Sequence, residues 1–133
     1  MSNPKHCACG SSKPYRKCCG KIHRNHELAH TAEQLMRSRF TAFTLADGKF
    51  LTQTHHKSTR NPNDEKEIVS WAKSVKWLRL EVLNSTKGAG TDIEGTVEFN
   101  AYFYEKGEVH VIHENSFFKK EEEYWFYVGE FYK

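Results

Sequence analysis

Beyond Cys19 the sequence contains no cysteine, and its 133 residues include only three prolines. No run approaches the roughly 18 apolar residues of a membrane-spanning helix, which excludes bilayer insertion by that route. Met1-Ser2-Asn3-Pro4-Lys5-His6 lacks the apolar stretch of a secretory leader, so the expectation is a cytoplasmic protein. Cys-x-x-Cys is missing, which removes the usual dithiol redox signature. No glycine-rich phosphate loop is present, since Gly88, Gly90 and Gly107 sit in turn contexts. A nucleophile elbow and internal repeats are missing too. Acidic side chains are scarce in one place: Glu27 alone among residues 1–30, against Lys5, Lys13, Arg16, Lys17, Lys21 and Arg24.

What is there divides into two parts. All four cysteines, Cys7, Cys9, Cys18 and Cys19, lie in the basic N-terminal stretch, flanked by His6 and His23. Residues 1–30 lack periodicity and are too few to bury a useful core, a situation that usually calls for a metal or disulfides. The remainder is nearly balanced in charge and carries most of the 3 Trp, 6 Tyr and 9 Phe, enough large side chains to fill a core. The chain therefore divides into a module at 1–30 and a body at 31–133.

Within the body, Thr31 and Gln34 have the form of a capping box, followed by Leu35, Met36, Phe40, Phe43 and Leu45 at mostly helical spacing. Asp47-Gly48 marks a stop, and Phe50-Leu51 suits a short second helix. Residues 55–63 read as a polar loop. Asn63 or Asp64 then caps a third helix carrying Ile68, Val69, Trp71, Ala72 and Val75. From Trp77 the period becomes two, with strands expected at 77–86, 92–105, 108–119 and 123–132. In the second, Ile93, Val97, Phe99, Ala101 and Phe103 share one face. In the third, either His113 and Asn115 follow Val109 and Val111 inward, or Glu114 and Ser116 follow Ile112 and Phe118. Helices followed by a meander of long, bulged strands define an α+β protein with a curved antiparallel sheet.

The spacing Cys7-x-Cys9-x8-Cys18-Cys19 suits one closed structural Zn²⁺ site, with Gly10-Ser11-Ser12 turning the chain back. Lys13, Arg16 and Lys17 would offset the charge of four thiolates. Two disulfides, or redox thiols, are the competing readings.

Cys7-Ala8-Cys9-Gly10-Ser11-Ser12-Lys13-Pro14-Tyr15-Arg16-Lys17-Cys18-Cys19 resembles the SEC-C motif, the zinc-binding element of the SecA translocation ATPase. Gln34–Phe43, Thr54-His55-His56, His113–Phe118 and Trp125–Gly129 resemble, in order, the bacterial YchJ family. That resemblance implies an N-terminal SEC-C element with ligands Cys7, Cys9, Cys18 and Cys19. An NTF2-like cone of helices on a curved sheet is implied to follow it, and no reaction comes with the resemblance. Arg37, Arg39, His56, His113 and Glu114 are polar residues within otherwise apolar segments that match the family's motifs, and they are the candidates for a pocket. The SecA element serves as a docking surface, which implies that the basic zinc module contacts a protein or ribosomal partner. The leading expectation is a non-catalytic zinc adapter. The alternative is a small-molecule binder, or an acid–base enzyme working with a His–Glu pair in the cone.

Overall fold

A computed structural model describes residues 6–130; residues 1–5 and 131–133, including Lys5 and the end of the last expected strand, lie outside the description. The cysteine segment forms a single turn at Tyr15–Lys17 and the short helix α1 (Cys19–Arg24). A further turn at His26–Leu28 leads to α2 (Ala32–Thr44), α3 (Gly48–Gln53) and α4 (Glu65–Ser74). Strands β1 (Lys76–Lys87), β2 (Glu94–Glu105), β3 (Glu108–Glu121) and β4 (Tyr124–Glu130) form one antiparallel sheet in chain order.

Local chemistry accounts for most of the boundaries. Thr31 Oγ1 accepts the Gln34 amide at 3.0 Å, the cap bond of the box, and Gln34 Oε1 reaches back one residue further, accepting the His30 amide at 2.7 Å. Asp47 accepts the Phe50 amide and thereby starts α3, so the stop after α2 is also a cap. Asp64 occupies the N-cap of α4 without a side-chain bond, and Asn61 caps the preceding turn instead.

The concave face of the sheet takes the apolar set, with Leu80, Val97, Phe99, Ala101, Phe118 and Trp125 packed against Leu35, Met36, Phe40 and Phe50 of α2 and α3. Ile93 departs from the expected register: it is 68% exposed, because it precedes the first residue of β2. β1 carries irregularities at Trp77/Arg79 and Val82/Asn84, and β3 and β4 share one at Phe117/Phe118. Such bulges bend strands of 12 to 14 residues around the helices. Ile22 and Ala29, from the cysteine segment, belong to this same core. His26 Nε2–H donates to the Trp125 carbonyl at 2.6 Å, and Trp125 Nε1–H donates to the His30 carbonyl at 3.3 Å. These bonds lace the N-terminal segment onto β4.

No helix among the described residues is long and apolar enough to cross a membrane.

Candidate metal centre and cone cavity

Cys7 and Cys9 lie on a tight turn closed by the Gly10 amide on the Cys7 carbonyl at 3.1 Å. Gly10 has φ +97°, a conformation that side chains resist, and an added Cβ would lie 3.6 Å from Arg37 Nη1. Cys18 and Cys19 enter from the start of α1. Gly20 lets that helix approach the Tyr15 turn, since a Cβ there would meet the Tyr15 carbonyl at 2.7 Å.

The four Sγ atoms all lie within 4.8 Å of one another, and the thiols are free. Cys9 and Cys18 Sγ are 3.6 Å apart, well beyond a disulfide bond of about 2.05 Å. That spacing is close to the roughly 3.8 Å between sulfurs of a tetrahedral site with metal–sulfur bonds of about 2.3 Å. Cys7, Cys9 and Cys19 are buried and Cys18 is half-buried, so the sulfur cluster lies mostly within the protein. Hydrogen bonding from Cys19 and Cys9 holds the Cys7 thiol down, while sharing with Cys7 and Cys9, together with burial, drives Cys19 up. Four such sulfurs cannot all ionise unaided, and a bound cation relieves the repulsion. The donor set fits a metal ion.

The outer contacts of this cluster come from α2. Thr41 Oγ1 donates to Cys19 Sγ at 3.4 Å and lies 3.7 Å from Cys7 Sγ. Arg37 Nη1 donates to the Cys9 carbonyl at 2.7 Å while its Nε pairs with Glu33 at 2.9 Å. His23 bridges the Tyr15 hydroxyl at 2.7 Å and the Ser38 carbonyl at 2.8 Å. Ser11 Oγ donates to Cys18 Sγ at 3.1 Å. Lys13, Arg16, Lys17, Lys21 and Arg24 all remain exposed around the cluster.

The other face of α2 lines a cavity of about 280 Å³ inside the cone. Its walls are aromatic: Phe40, Phe43, Trp71, Trp77, Phe99 and Phe118. Trp71 and Trp77 meet edge to face at 5.3 Å, and Phe40 meets Trp77 likewise at 5.8 Å. One end is polar, formed by Arg39, His55, Glu114, Ser116 and Tyr127. Glu114 Oε2 accepts from Ser116 Oγ at 2.5 Å and from Tyr127 Oη at 2.9 Å. Arg39 Nη1 donates to the Leu51 carbonyl at 2.8 Å and to Thr54 Oγ1 at 2.7 Å, and its guanidinium carbon lies 4.5 Å from the Tyr127 ring centre. Burial lowers Arg39 to about 10, still cationic at neutral pH. Burial and the adjacent Glu114 raise Tyr127, which therefore stays a donor. Burial, then Arg39, pushes His55 down to about 4, so its ring is neutral.

Of the five pocket candidates, the structure brings together Arg39 and Glu114. His113 requires correction. The β2–β3 ladder is regular from Glu94↔Lys119 to Glu105↔Glu108, so alternation puts Glu114 and Ser116 inside and His113 outside. There it pairs with Glu98 at 2.6 Å, its side chain 55% exposed. No His113–Glu114 dyad forms. His56 is buried but away from the cavity, holding Glu121 at 2.7 Å and lowering that carboxyl, while its amide bonds to the Tyr127 carbonyl. Arg37 serves the cysteine turn. Sequence reasoning missed Thr41, His55 and Tyr127 as site residues. All three stood within recognised motifs, but nothing local marks Thr41 as a sulfur contact, because its partners lie 22 and 34 positions away.

Fold and cluster together define an NTF2-like cone with an N-terminal SEC-C cysteine element. A family model described as "YchJ, middle NTF2-like domain" matches residues 31–130. A UPF0225 protein of Vibrio cholerae is 42% identical over 126 residues, covering 94% of this chain and 82% of its own. One from Bordetella pertussis is 40% identical over 129 residues, covering 96% and 92%. The solution structure of a SEC-C motif containing protein from Rhodopseudomonas palustris superposes with a TM-score of 0.85 at 34% identity, covering 96% of this chain and 99% of that one. A crystal structure of a SEC-C motif containing protein from Psychrobacter arcticus gives 0.76 at 31% identity, covering 95% and 76%. The chain belongs to the YchJ family.

Proposed function

We propose that the protein is a non-catalytic binding protein in which one structural Zn²⁺ staples the cysteine element to α2 and the cone holds a small organic ligand. The observation that carries the ligand reading is a cavity of about 280 Å³ with aromatic walls and a single polar end containing a buried arginine. Ligand sites commonly combine apolar walls with a few convergent polar groups. Glu114 Oε2 accepts from Ser116 and Tyr127, and no imidazole among the described residues hydrogen-bonds to this carboxylate, which favours binding over acid–base turnover. Zinc is favoured by four clustered sulfur donors, three of them buried and Cys18 half-buried, which supply a complete tetrahedral set.

Metal analysis of protein purified without chelator is expected to give one zinc per chain; a value near zero overturns the metal reading. For the cone, a fragment library is screened by the NMR signals of the Trp71 and Trp77 indoles. Shifts confined to cavity residues are expected, and a library that leaves both indoles unmoved overturns the ligand reading.

A second reading rests on a different observation, the exposure of Lys13, Arg16, Lys17, Lys21 and Arg24 around the metal site. Such a face suits docking on an acidic protein or ribosomal surface. Co-sedimentation with ribosomes in low and moderate salt tests it against Arg16→Glu/Lys17→Glu/Lys21→Glu. Equal behaviour of the wild type and the triple variant overturns it.

A further inference from the structure

The polar end of the cone holds two opposite charges that do not touch. Arg39 is 8% exposed and forms no ion pair among the described residues. Its Nη1 is used twice, leaving Nε–H and Nη2–H without a partner among the described residues. Glu114 uses Oε2 twice, and Oε1 accepts nothing from the described residues. Yet every fully buried side-chain polar atom among the described residues is satisfied, so these free atoms open on the cavity both residues line.

His55, also at this end, is neutral, and its hydrogen bond to Thr59 fixes its tautomer. Thr59 Oγ1 spends its one proton on the Val128 carbonyl at 2.6 Å, so at 3.0 Å from His55 Nε2 it accepts. Nε2 therefore carries the proton and Nδ1 the lone pair. The polar end thus presents donors on Arg39 and an acceptor on Glu114, beside a neutral His55, and no net charge.

A ligand entering here displaces the water that solvates these free groups. If it offers no acceptor to Arg39, or no donor to Glu114, a charged group is left desolvated and unmet. A ligand with net charge leaves this aromatic-walled site charged, which is costly without a further counter-ion. We propose that the cone binds a ring-bearing small molecule with an electroneutral head, whose acceptor meets Arg39 and whose adjacent donor meets Glu114. Primary carboxamides and amino-acid zwitterions on an aromatic body share this chemistry. The edge-to-face walls of Trp71, Trp77 and Phe40 receive the ring. This rests on the small-ligand reading and adds the class of ligand to it.

The test is isothermal titration of the full-length, metal-loaded protein with five indoles that differ only in the head: indole-3-acetamide, tryptophan, indole-3-acetate, tryptamine and 3-methylindole. The amide or the zwitterion is expected to bind at least about tenfold more tightly than the anion, the cation and the headless ring. Glu114→Gln should pass the preference to indole-3-acetate, because Arg39 alone then sets the charge. Arg39→Gln should pass it to tryptamine. A merely structural role for these residues would weaken all five alike. If Arg39→Gln does not fold, the wild-type order and Glu114→Gln still decide. Indole-3-acetate, tryptamine or 3-methylindole binding as tightly as the electroneutral pair overturns the head-group assignment and leaves the cone a ligand site. Binding of none of the five overturns both.

Discussion

Replacing Thr41 by Val keeps shape and branching at a buried position of α2 and removes one hydroxyl. That hydroxyl donates to Cys19 Sγ at 3.4 Å and lies 3.7 Å from Cys7 Sγ. It has one proton, and sulfur is a weak acceptor, so the effect belongs at the low end of outer-contact effects on metal affinity, about tenfold. Tenfold corresponds to about 1.4 kcal/mol. The metal-free protein should respond differently. There the substitution exchanges a buried hydroxyl for a methyl in a tightly packed place, and stability should change by less than about 1 kcal/mol in either direction. Zinc affinity is read by competition with a chromogenic chelator at pH 7, and stability by urea unfolding in excess chelator. Affinity within twofold of wild type would refute the assignment of Thr41 as a support of the sulfur cluster. An equal loss in chelated and metal-loaded protein would refute it as well, because it would point to packing of α2 alone.

The acid limb of stability should carry the signature of neutral histidines, His26 buried and His55 half-buried. His55 is lowered to about 4 from an ordinary value of 6.5, and His26 is lowered too, both by burial. The unfolded chain binds the proton first, so the stability is whole above pH 6.5 and declines as pH falls toward 4. For His55 the loss by pH 5 is about 1–2 kcal/mol after solvent screening, and His55→Gln should flatten it in paired urea titrations at pH 7 and pH 5; an unchanged slope rejects the assignment. Trp125 is fully buried and hydrogen-bonded to His30, so Trp125→Ala should cost about 3–5 kcal/mol and lower Tm sharply by circular dichroism. A loss below 1 kcal/mol would contradict its place at the junction of β4 and the N-terminal segment. His113→Ala removes an exposed pair with Glu98 on the outer face, so stability should move by no more than about 0.5 kcal/mol. A change in ligand binding in that variant would refute its placement outside the cone.

Periodicity carried much of the fold. The switch from helical spacing to alternation at residues 76–77, and the four strand centres, follow from side-chain pattern alone, because a half-buried strand must alternate. Strand ends were less legible. Ile93 is apolar and in phase with Val97 and Phe99, yet lies outside the ladder, since pairing and not hydrophobicity ends a strand. The parity of β3 was undecidable locally, because Val109 and Val111 are as apolar as Ile112 and Phe118. Only pairing with β2, whose Phe99 and Ala101 face the helices, selects Glu114 over His113.

The cysteine element shows the same division. Sequence alone set the donor set, because four sulfurs within thirteen positions and a glycine turn leave few other uses for that segment. It also separated a basic segment from a nearly balanced body by composition. Tertiary structure decided how the two are joined. Helical geometry puts Arg37 and Thr41, four residues apart, toward the sulfur cluster, and turns Met36, Arg39, Phe40 and Phe43 of the same helix toward the cavity. Local sequence contains that periodicity but not the partners on either side. They arrive from positions 22 to 34 residues earlier in the cysteine segment and, for Arg39, from Glu114 and Tyr127, 75 and 88 residues later in β3 and β4, through chain packing that no short window of sequence records.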